Sequence, residues 1–243
     1  MRLHINTLLI SVAIIVAAIV LGGAYTKKFK TTETISVTGL GEENFESDLI
    51  VWQASFSKFG ENLKFASSEL KSDREKIKSY LVSKGVKPEQ IVFSSVDISK
   101  EFDRNYDNYG NLISNQFLGY SLNQSLRIES NEVNKIEMIS REVTDLINQN
   151  IELSSMSPEY YFTKLAALKL KMIENATKDA HDRADKIATN AGSSLGDLKN
   201  SSMGIIQITA QNSSEDYSWG GSFNTSSKLK TASITIRLEY GIN

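Results

Sequence analysis

Alternating apolar and polar residues predict three half-buried β-strands in this chain. They lie at Leu49–Ser57, Leu118–Ile128 and Lys230–Tyr240. For the last strand we expect antiparallel pairing, with one face in solvent. The apolar positions of the three strands are Ile50, Trp52, Ala54 and Phe56, then Leu118, Tyr120, Leu122, Leu126 and Ile128, and then Ala232, Ile234, Ile236, Leu238 and Tyr240.

Apolar residues that recur three, four or seven positions apart predict three amphipathic helices. The first covers Asn62–Lys84 and ends at Gly85, the second covers Glu132–Gln149, and the third runs from about Tyr161 to Ala191. The buried positions predicted for the first two helices are Leu63, Ala66, Leu70, Ile77 and Leu81, and Val133, Ile136, Ile139, Val143 and Leu146.

The remaining segments complete an α+β fold. Its predicted core has the split βαβ order (βαββαβ-like), preceded by one strand and extended by a long helix and a β-hairpin. The polar segment 101–111 is interpreted as a hairpin tip, and the glycine- and serine-rich segment 211–227 as a mobile loop. Shorter strands are predicted at Thr34–Gly39, Gln90–Ser99, Ile151–Ser155 and Met203–Thr209.

An uncharged run, Ile5–Ala24, precedes this α+β part. About 20 helical residues cross the hydrocarbon core of a bilayer, so the run is long enough for one transmembrane helix. A cleavable signal peptide is the alternative, since small residues precede Tyr25, but its apolar region is usually only about 7 to 15 residues long. The sequence favours an uncleaved signal anchor.

We therefore expect an N-terminal anchor with a basic flank at 1–30 and one α+β domain at 31–243. Arg2 lies before the anchor, whereas Lys27, Lys28 and Lys30 follow it, so the positive-inside rule does not decide the orientation. With about four residues before the anchor, a sensor-kinase output domain is not expected there.

Composition narrows the class of partner. Four of the 27 basic residues and none of the 29 acidic ones precede residue 31, so the rest carries a formal charge of −6. This charge disfavours nucleic-acid binding, which needs concentrated lysine and arginine. The chain contains no cysteine, which excludes disulfides, thiol nucleophiles and thiolate metal sites.

Motifs for catalysis or metal binding are not found in the sequence. The two histidines, His4 and His181, do not form a pair suited to zinc, and no serine lies in a G-x-S-x-G motif. The segment that begins at Asp103 has the alternating oxygen side chains of a calcium loop. However, Asn108 and Ser114 occupy its sixth and twelfth positions, where an EF-hand needs glycine and a carboxylate. We assign no catalytic, cofactor-binding or metal-binding residue, and no cofactor.

Two short segments leave alternatives open. Gly39 and Gly41 are interpreted as a turn between two strands, since the third glycine and the helix of a dinucleotide motif are missing. Three aromatic residues of the 211–227 loop either form a partner-binding tip or fold back on the edge of the sheet: Tyr217, Trp219 and Phe223.

The long C-terminal helix carries alanine at every fourth position, which gives it a flat face for close packing. The helix ends in A-G-x-x-L-G-x-L, and Gly192 is placed to cap it in a left-handed conformation. This segment and the opening ISVTGLGEENFESDLIVWQASFS together resemble the SIMPL domain family of bacterial envelope proteins. The alanines are Ala176, Ala180, Ala184 and Ala188.

The resemblance implies an exported, membrane-associated α+β protein without an established enzymatic activity. It further implies self-association, and some relatives carry names linked to oxidative or envelope stress. We expect a non-enzymatic homo-oligomer, anchored in the cytoplasmic membrane with its domain in the periplasm. Its small-molecule ligand is unknown. The alternatives are an envelope hydrolase that uses carboxylates such as Asp103 and Asp107, or a pilin-like subunit.

Overall fold

The computed structural model describes residues 11–23, which form helix α1, and residues 33–243. The predicted anchor Ile5–Ala24 therefore lies partly outside the described residues, and its basic flank and His4 lie wholly outside them. Within the ranges 11–23 and 33–243, no helix combines the length and hydropathy needed to cross a membrane.

The fold is α+β, as predicted, with two antiparallel sheets and four α-helices in the described residues. The helices after α1 are α2 (Leu63–Ser83), α3 (Val133–Glu142) and α4 (Leu165–Asn190), and short 3₁₀ helices cover Pro88–Gln90 and Val143–Gln149. The strands are β1 (Thr34–Glu46), β2 (Leu49–Gly60), β3 (Ile91–Phe93), β4 (Asp97–Tyr106), β5 (Leu112–Ser130), β6 (Leu153–Ser155), β7 (Glu159–Tyr161), β8 (Leu195–Met203), β9 (Gln207–Ala210) and β10 (Leu229–Ile242).

The contacts divide the chain into two compact units. Of the described residues, the first unit contains 11–23, 33–40, 176–204 and 235–243, and the second contains 41–175 and 205–234. The four-stranded sheet has the order β1-β10-β8, with β9 also paired to β10. The six-stranded sheet has the order β3-β5-β2-β6, with β4 paired to β5 and β7 paired to β2.

The six-stranded sheet contains the predicted strand-helix-strand-strand-helix-strand order as β2, α2, β3, β5, α3 and β6, with β4 added before β5 and β7 added after β6. The predicted strand Gln90–Ser99 is therefore two strands, β3 and β4. Its centre is the antiparallel pair of β2 and β5, in which Ile50 lies opposite Ser130 and Gly60 opposite Tyr120. Helices α2 and α3 both contact β2. The hydrophobic core of the second unit therefore forms between this sheet and the two helices.

Periodicity predicted most of this core correctly. All five apolar positions of the predicted second helix are buried, and Trp52 of β2 is fully buried, with its indole Nε1 donating a hydrogen bond to Ser155 Oγ at 3.0 Å. Leu63 and Leu118 are exposed instead. Leu63 is the first residue of α2, and Leu118 has no partner in the β4–β5 register, because Glu101 pairs with Gly119 and Phe102 with Phe117.

The predicted turn at Gly39 and Gly41 is wrong, because β1 continues through both glycines to Glu46. In the first unit, the backbone of β1 at Gly39 lies directly against the alanine face of α4. A Cβ atom at Gly39 would lie 2.2 Å from the carbonyl oxygen of Ala176 and 2.5 Å from the amide nitrogen of Ala180. Gly39 thus provides room for close packing, and the sequence pattern alone did not distinguish this role from a turn.

The predicted alanine face of α4 is confirmed, because all four alanines are fully buried. The predicted cap is also present: Gly192 has φ +77°, and the Ser193 amide donates to the Ala188 carbonyl at 3.0 Å. Left-handed backbone of this kind favours glycine.

Several element boundaries differ from the prediction. The second predicted helix changes from α to 3₁₀ geometry at Val143, and the third begins at Leu165, because Glu159–Tyr161 pairs with β2. The predicted strand Met203–Thr209 is two strands, β8 and β9. These boundaries depend on pairing with strands that are distant in the sequence, and local periodicity carries no information about such pairing.

Candidate self-association surface

The most exposed regular structure of the second unit is the hairpin formed by residues 97–119, which we call the hairpin arm. It consists of β4, the turn 107–111 and the first part of β5. Strand β2 pairs with β5 only from Tyr120 onward, so the described residues from Glu101 to Gly119 form a ribbon of two strands without a third. Most of the predicted polar tip at 101–111 is therefore paired strand.

Asp107 fixes the turn of the hairpin arm. Its Oδ1 accepts hydrogen bonds from the backbone N–H groups of Tyr109 at 2.9 Å and Asn111 at 2.8 Å, and its Oδ2 accepts one from the Asn111 side chain at 2.9 Å. These hydrogen bonds, first of all those from Asn111, lower the pKa of Asp107. Gly110 adopts φ +84° to close the turn. Asp107 therefore has a structural role at this position.

The structure does not support a shared acid–base pair for Asp103 and Asp107. Asp103 is exposed and lies opposite Gln116 in the ladder, whereas Asp107 is partly buried and lies in the turn. Among the residues that the structure describes, no group of three or more His, Asp or Glu side chains could hold a metal ion.

The two faces of β4 differ in chemistry. Successive strand residues point to opposite faces, so the even-numbered and odd-numbered residues of β4 form separate surfaces. The first surface, which we call the aromatic face, combines apolar and cationic side chains: Ile98, Lys100, Phe102, Arg104 and Tyr106. The second, which we call the acidic face, contains only polar and acidic ones: Asp97, Ser99, Glu101, Asp103 and Asn105.

Strand β5 extends the aromatic face. The rings of Phe102 and Phe117 lie 5.5 Å apart, and those of Phe117 and Tyr120 lie 5.2 Å apart, both edge to face. The Arg104 guanidinium lies 5.7 Å from the Phe102 ring centre. These contacts order the aromatic face but leave it open to solvent. Its exposed large apolar residues and those of the turn and adjacent strand are Ile98, Tyr106, Tyr109, Leu112, Ile113, Phe117 and Leu118.

The free edge of β5 adds backbone hydrogen-bonding groups to this surface. Residues Leu112–Gly119 pair with β4 on one side only, and they contain neither a charged residue nor proline. Exposed edges are normally protected by charged residues, proline or bulges. Strand β4 carries charges, and β5 has register shifts at Ile113 and Leu118. An exposed apolar surface of this kind is typical of a protein interaction site.

The three aromatic residues of the 211–227 loop do not all follow the same one of the two predicted alternatives. Phe223 forms a bridge with Ile208 and lies beside Lys230, and the Tyr217 hydroxyl lies 3.4 Å from Ser233 Oγ, so both residues fold back on the sheet. Trp219 has 98% of its surface exposed and forms the tip.

A cavity of about 620 Å³ in the second unit is lined partly by three acids, Glu46, Asp48 and Glu132. Each acid already has a partner: Lys228 lies 3.4 Å from Glu46, Lys135 lies 3.1 Å from Glu132, and Thr163 donates its amide and its hydroxyl to Asp48 at 2.7 and 2.8 Å. The partners hold these acids in fixed ion pairs and hydrogen bonds. In the first unit, His181 lies on α4 with 55% of its side chain exposed.

Sequence reasoning missed the hairpin arm although the signal was present. From Asp97 to Tyr106, apolar or cationic residues alternate with polar or acidic ones without interruption. The high polarity of 101–111 led to a loop assignment, whereas the period of two predicts a strand.

Comparison with known proteins agrees with the α+β fold and the sequence motifs. A search of curated proteins finds no significant match to this chain. The model of the SIMPL family, described as a protein of unknown function (DUF541), matches residues 35–239. This match covers most of the described residues of both compact units, and the chain therefore belongs to the SIMPL family.

Proposed function

We propose that this protein is a non-enzymatic module of the cell envelope that assembles with copies of itself through the hairpin arm. The observation that carries the proposal is the two-stranded ribbon at Glu101–Gly119, which exposes large apolar side chains and an uncharged strand edge. An isolated two-stranded hairpin is only marginally stable in water, so a partner would stabilise the arm.

Burial of the exposed apolar side chains of the hairpin arm would favour association. Full burial of one Leu, Ile or Phe side chain contributes roughly 1.5–3 kcal/mol. Burial of four such side chains would contribute roughly 6–12 kcal/mol, part of which offsets the translational and rotational freedom that the two copies lose.

A membrane tether completes the proposal. The uncharged run Ile5–Ala24 is long enough to span a bilayer, and it would hold the α+β part at the outer surface of the cytoplasmic membrane. A tether raises the local concentration of the chain and restricts its orientation, which favours association of identical domains. A role in envelope stress is the cellular context that we propose for this assembly.

Light scattering after size exclusion on residues 31–243 tests the self-assembly. We expect a mass above that of the monomer that rises with concentration, because apolar burial drives association. A strict monomer at high concentration would contradict self-assembly of the α+β part.

Fractionation of cells that express the full chain tests the tether. We expect the protein to stay in the membrane fraction after alkaline extraction and to be accessible to protease in spheroplasts. Replacement of Ile14 and Ile15 by aspartate should release it, since charged residues in the middle of a span are costly. Retention of the full wild-type chain in the soluble fraction would contradict the tether.

A further inference from the structure

The two faces of the hairpin arm carry opposite charges. The aromatic face has two cations, Lys100 and Arg104, whereas the acidic face has three acids, Asp97, Glu101 and Asp103. Within residues 33–243, none of these five side chains forms an ion pair within the arm or with the rest of the chain. Glu101 accepts a hydrogen bond from Ser99, and Arg104 lies over the Phe102 ring, but neither contact supplies an opposite charge, so a partner can still pair with all five.

The spacing of the charges is the same on both faces. Lys100 and Arg104 are four residues apart on one face, and Asp97 and Glu101 are four residues apart on the other. At about 3.3 Å per residue, each pair spans roughly 13 Å along the strand. A second arm stacked on the first can therefore place both cations opposite two acids at once.

The residue between each pair of charges also fits this arrangement. Phe102 stands between the two cations, and Ser99 stands between the two acids. Stacked sheets lie about 10 Å apart, a distance that one large and one small side chain fill together. The aromatic face thus meets a complementary surface on another copy of the same chain.

We propose that copies of this protein assemble by stacking the aromatic face of one hairpin arm on the acidic face of the next. This inference rests on the proposed self-assembly and specifies its interface. Because two different surfaces meet, the contact is head to tail, so assembly continues to a closed ring or an open filament rather than stopping at a twofold dimer.

A charge-exchange experiment with the full chain tests the stacking. Variant one carries K100E and R104E on the aromatic face, and variant two carries D97K, E101K and D103K on the acidic face. All five substituted positions are exposed, and the partly buried Phe102 is left unchanged, so the substitutions do not disturb a core. Each variant is co-expressed in two epitope-tagged forms, with itself, with the other variant and with the wild-type chain, and co-purification is quantified.

Each variant paired with itself should lose co-purification about tenfold or more, because like charges then meet across the interface. Co-purification of variant one with variant two should recover to near the wild-type level. Where variant one stacks its aromatic face on variant two, both sets of charges are reversed and attract each other, and where variant two stacks its aromatic face on variant one, the original charges attract each other. Two misfolded variants would not restore each other, so recovery also shows that both fold.

The same co-purification measurements separate the stacking of the two faces from self-assembly as such. If wild-type copies co-purify but the mixed variants stay as low as each variant alone, or if neither variant loses co-purification, the stacking is overturned while self-assembly stands. If wild-type copies do not co-purify, the self-assembly itself is overturned.

Discussion

Replacing Gly39 with alanine should lower the free energy of unfolding by about 3 kcal/mol or more, at the upper end of overpacking effects. The added Cβ would lie 2.2 Å from the Ala176 carbonyl oxygen, 2.5 Å from the Ala180 amide nitrogen and 2.8 Å from the Ala180 Cβ. Two of these atoms are helix backbone, which cannot rotate away, so β1 and α4 would have to separate within the first unit. Urea denaturation followed by circular dichroism measures the change.

Gly220 provides a matched control for this substitution. A Cβ atom there would have only the Ser218 hydroxyl oxygen near it, at 4.0 Å, and the backbone does not require glycine. Gly220→Ala should change the free energy of unfolding by less than about 0.5 kcal/mol. A Gly39→Ala variant as stable as Gly220→Ala would contradict the close packing of β1 on α4.

Lys230 should make the protein more stable as pH rises from about 8 toward 10. The side chain is 1% exposed, and its Nζ donates to the backbone carbonyls of Tyr160 and Asn224 in the second unit. Burial lowers the pKa of Lys230 to about 8, although the Glu215 carboxylate acts in the opposite direction. The unfolded chain therefore binds more protons than the folded chain above pH 8, so unfolding becomes less favourable as protons are removed.

Comparison with Lys230→Met isolates this effect. At about 1.4 kcal/mol for each unit of pKa shift, the wild type should gain on the order of 2 kcal/mol relative to this variant between pH 7.5 and 9.5. The difference between the two proteins cancels contributions from tyrosines such as Tyr160, whose pKa burial raises.

Lys228→Met is the control for Lys230→Met, because Lys228 is partly exposed and lies beside Glu46 at 3.4 Å. It should keep the pH dependence of the wild type. Equal pH profiles for the wild type and Lys230→Met would contradict a buried cation at this position.

Local pattern predicted the parts of the fold that pack through one regular face. The five apolar positions of Glu132–Gln149 are all buried, as are the alternating residues Ala232–Tyr240 and the four alanines of α4. In each case the period of the sequence matches the period of the element, so burial of one face follows directly. Membership of the SIMPL family followed from the motifs at β1 and at the end of α4.

Features that depend on distant partners could not be predicted in this way. Gly39 has the composition of a turn, and only its approach to α4 shows why β1 continues through it. Lys230 opens a predicted strand as an ordinary polar residue, but carbonyl groups from Tyr160 and Asn224 make its burial possible. Phe102 pairs with Phe117 in the ladder, so a segment that has the polar composition of a loop is a strand of the hairpin arm.

The candidate self-association surface could likewise be predicted only in part. The sequence proposed self-association through the family resemblance, together with a list of polar candidates. It did not locate the surface, because the two faces of β4 become separate surfaces only once the strand is paired. Asp103 and Asp107, which the sequence offered only as carboxylates of an alternative hydrolase, lie in the ladder and in the turn of the hairpin arm.

Removal of the hairpin arm tests the central proposal most directly. Lys100 and Tyr120 are direct partners in the ladder, so an Asn-Gly turn can replace residues 101–119 without changing the register. Sedimentation velocity compares this variant with the wild-type chain at matched concentrations. We predict that the wild type forms assemblies larger than a dimer, whereas the shortened chain is monomeric and keeps its thermal unfolding midpoint. Assembly of the shortened chain to the same size as the wild type would contradict the proposal.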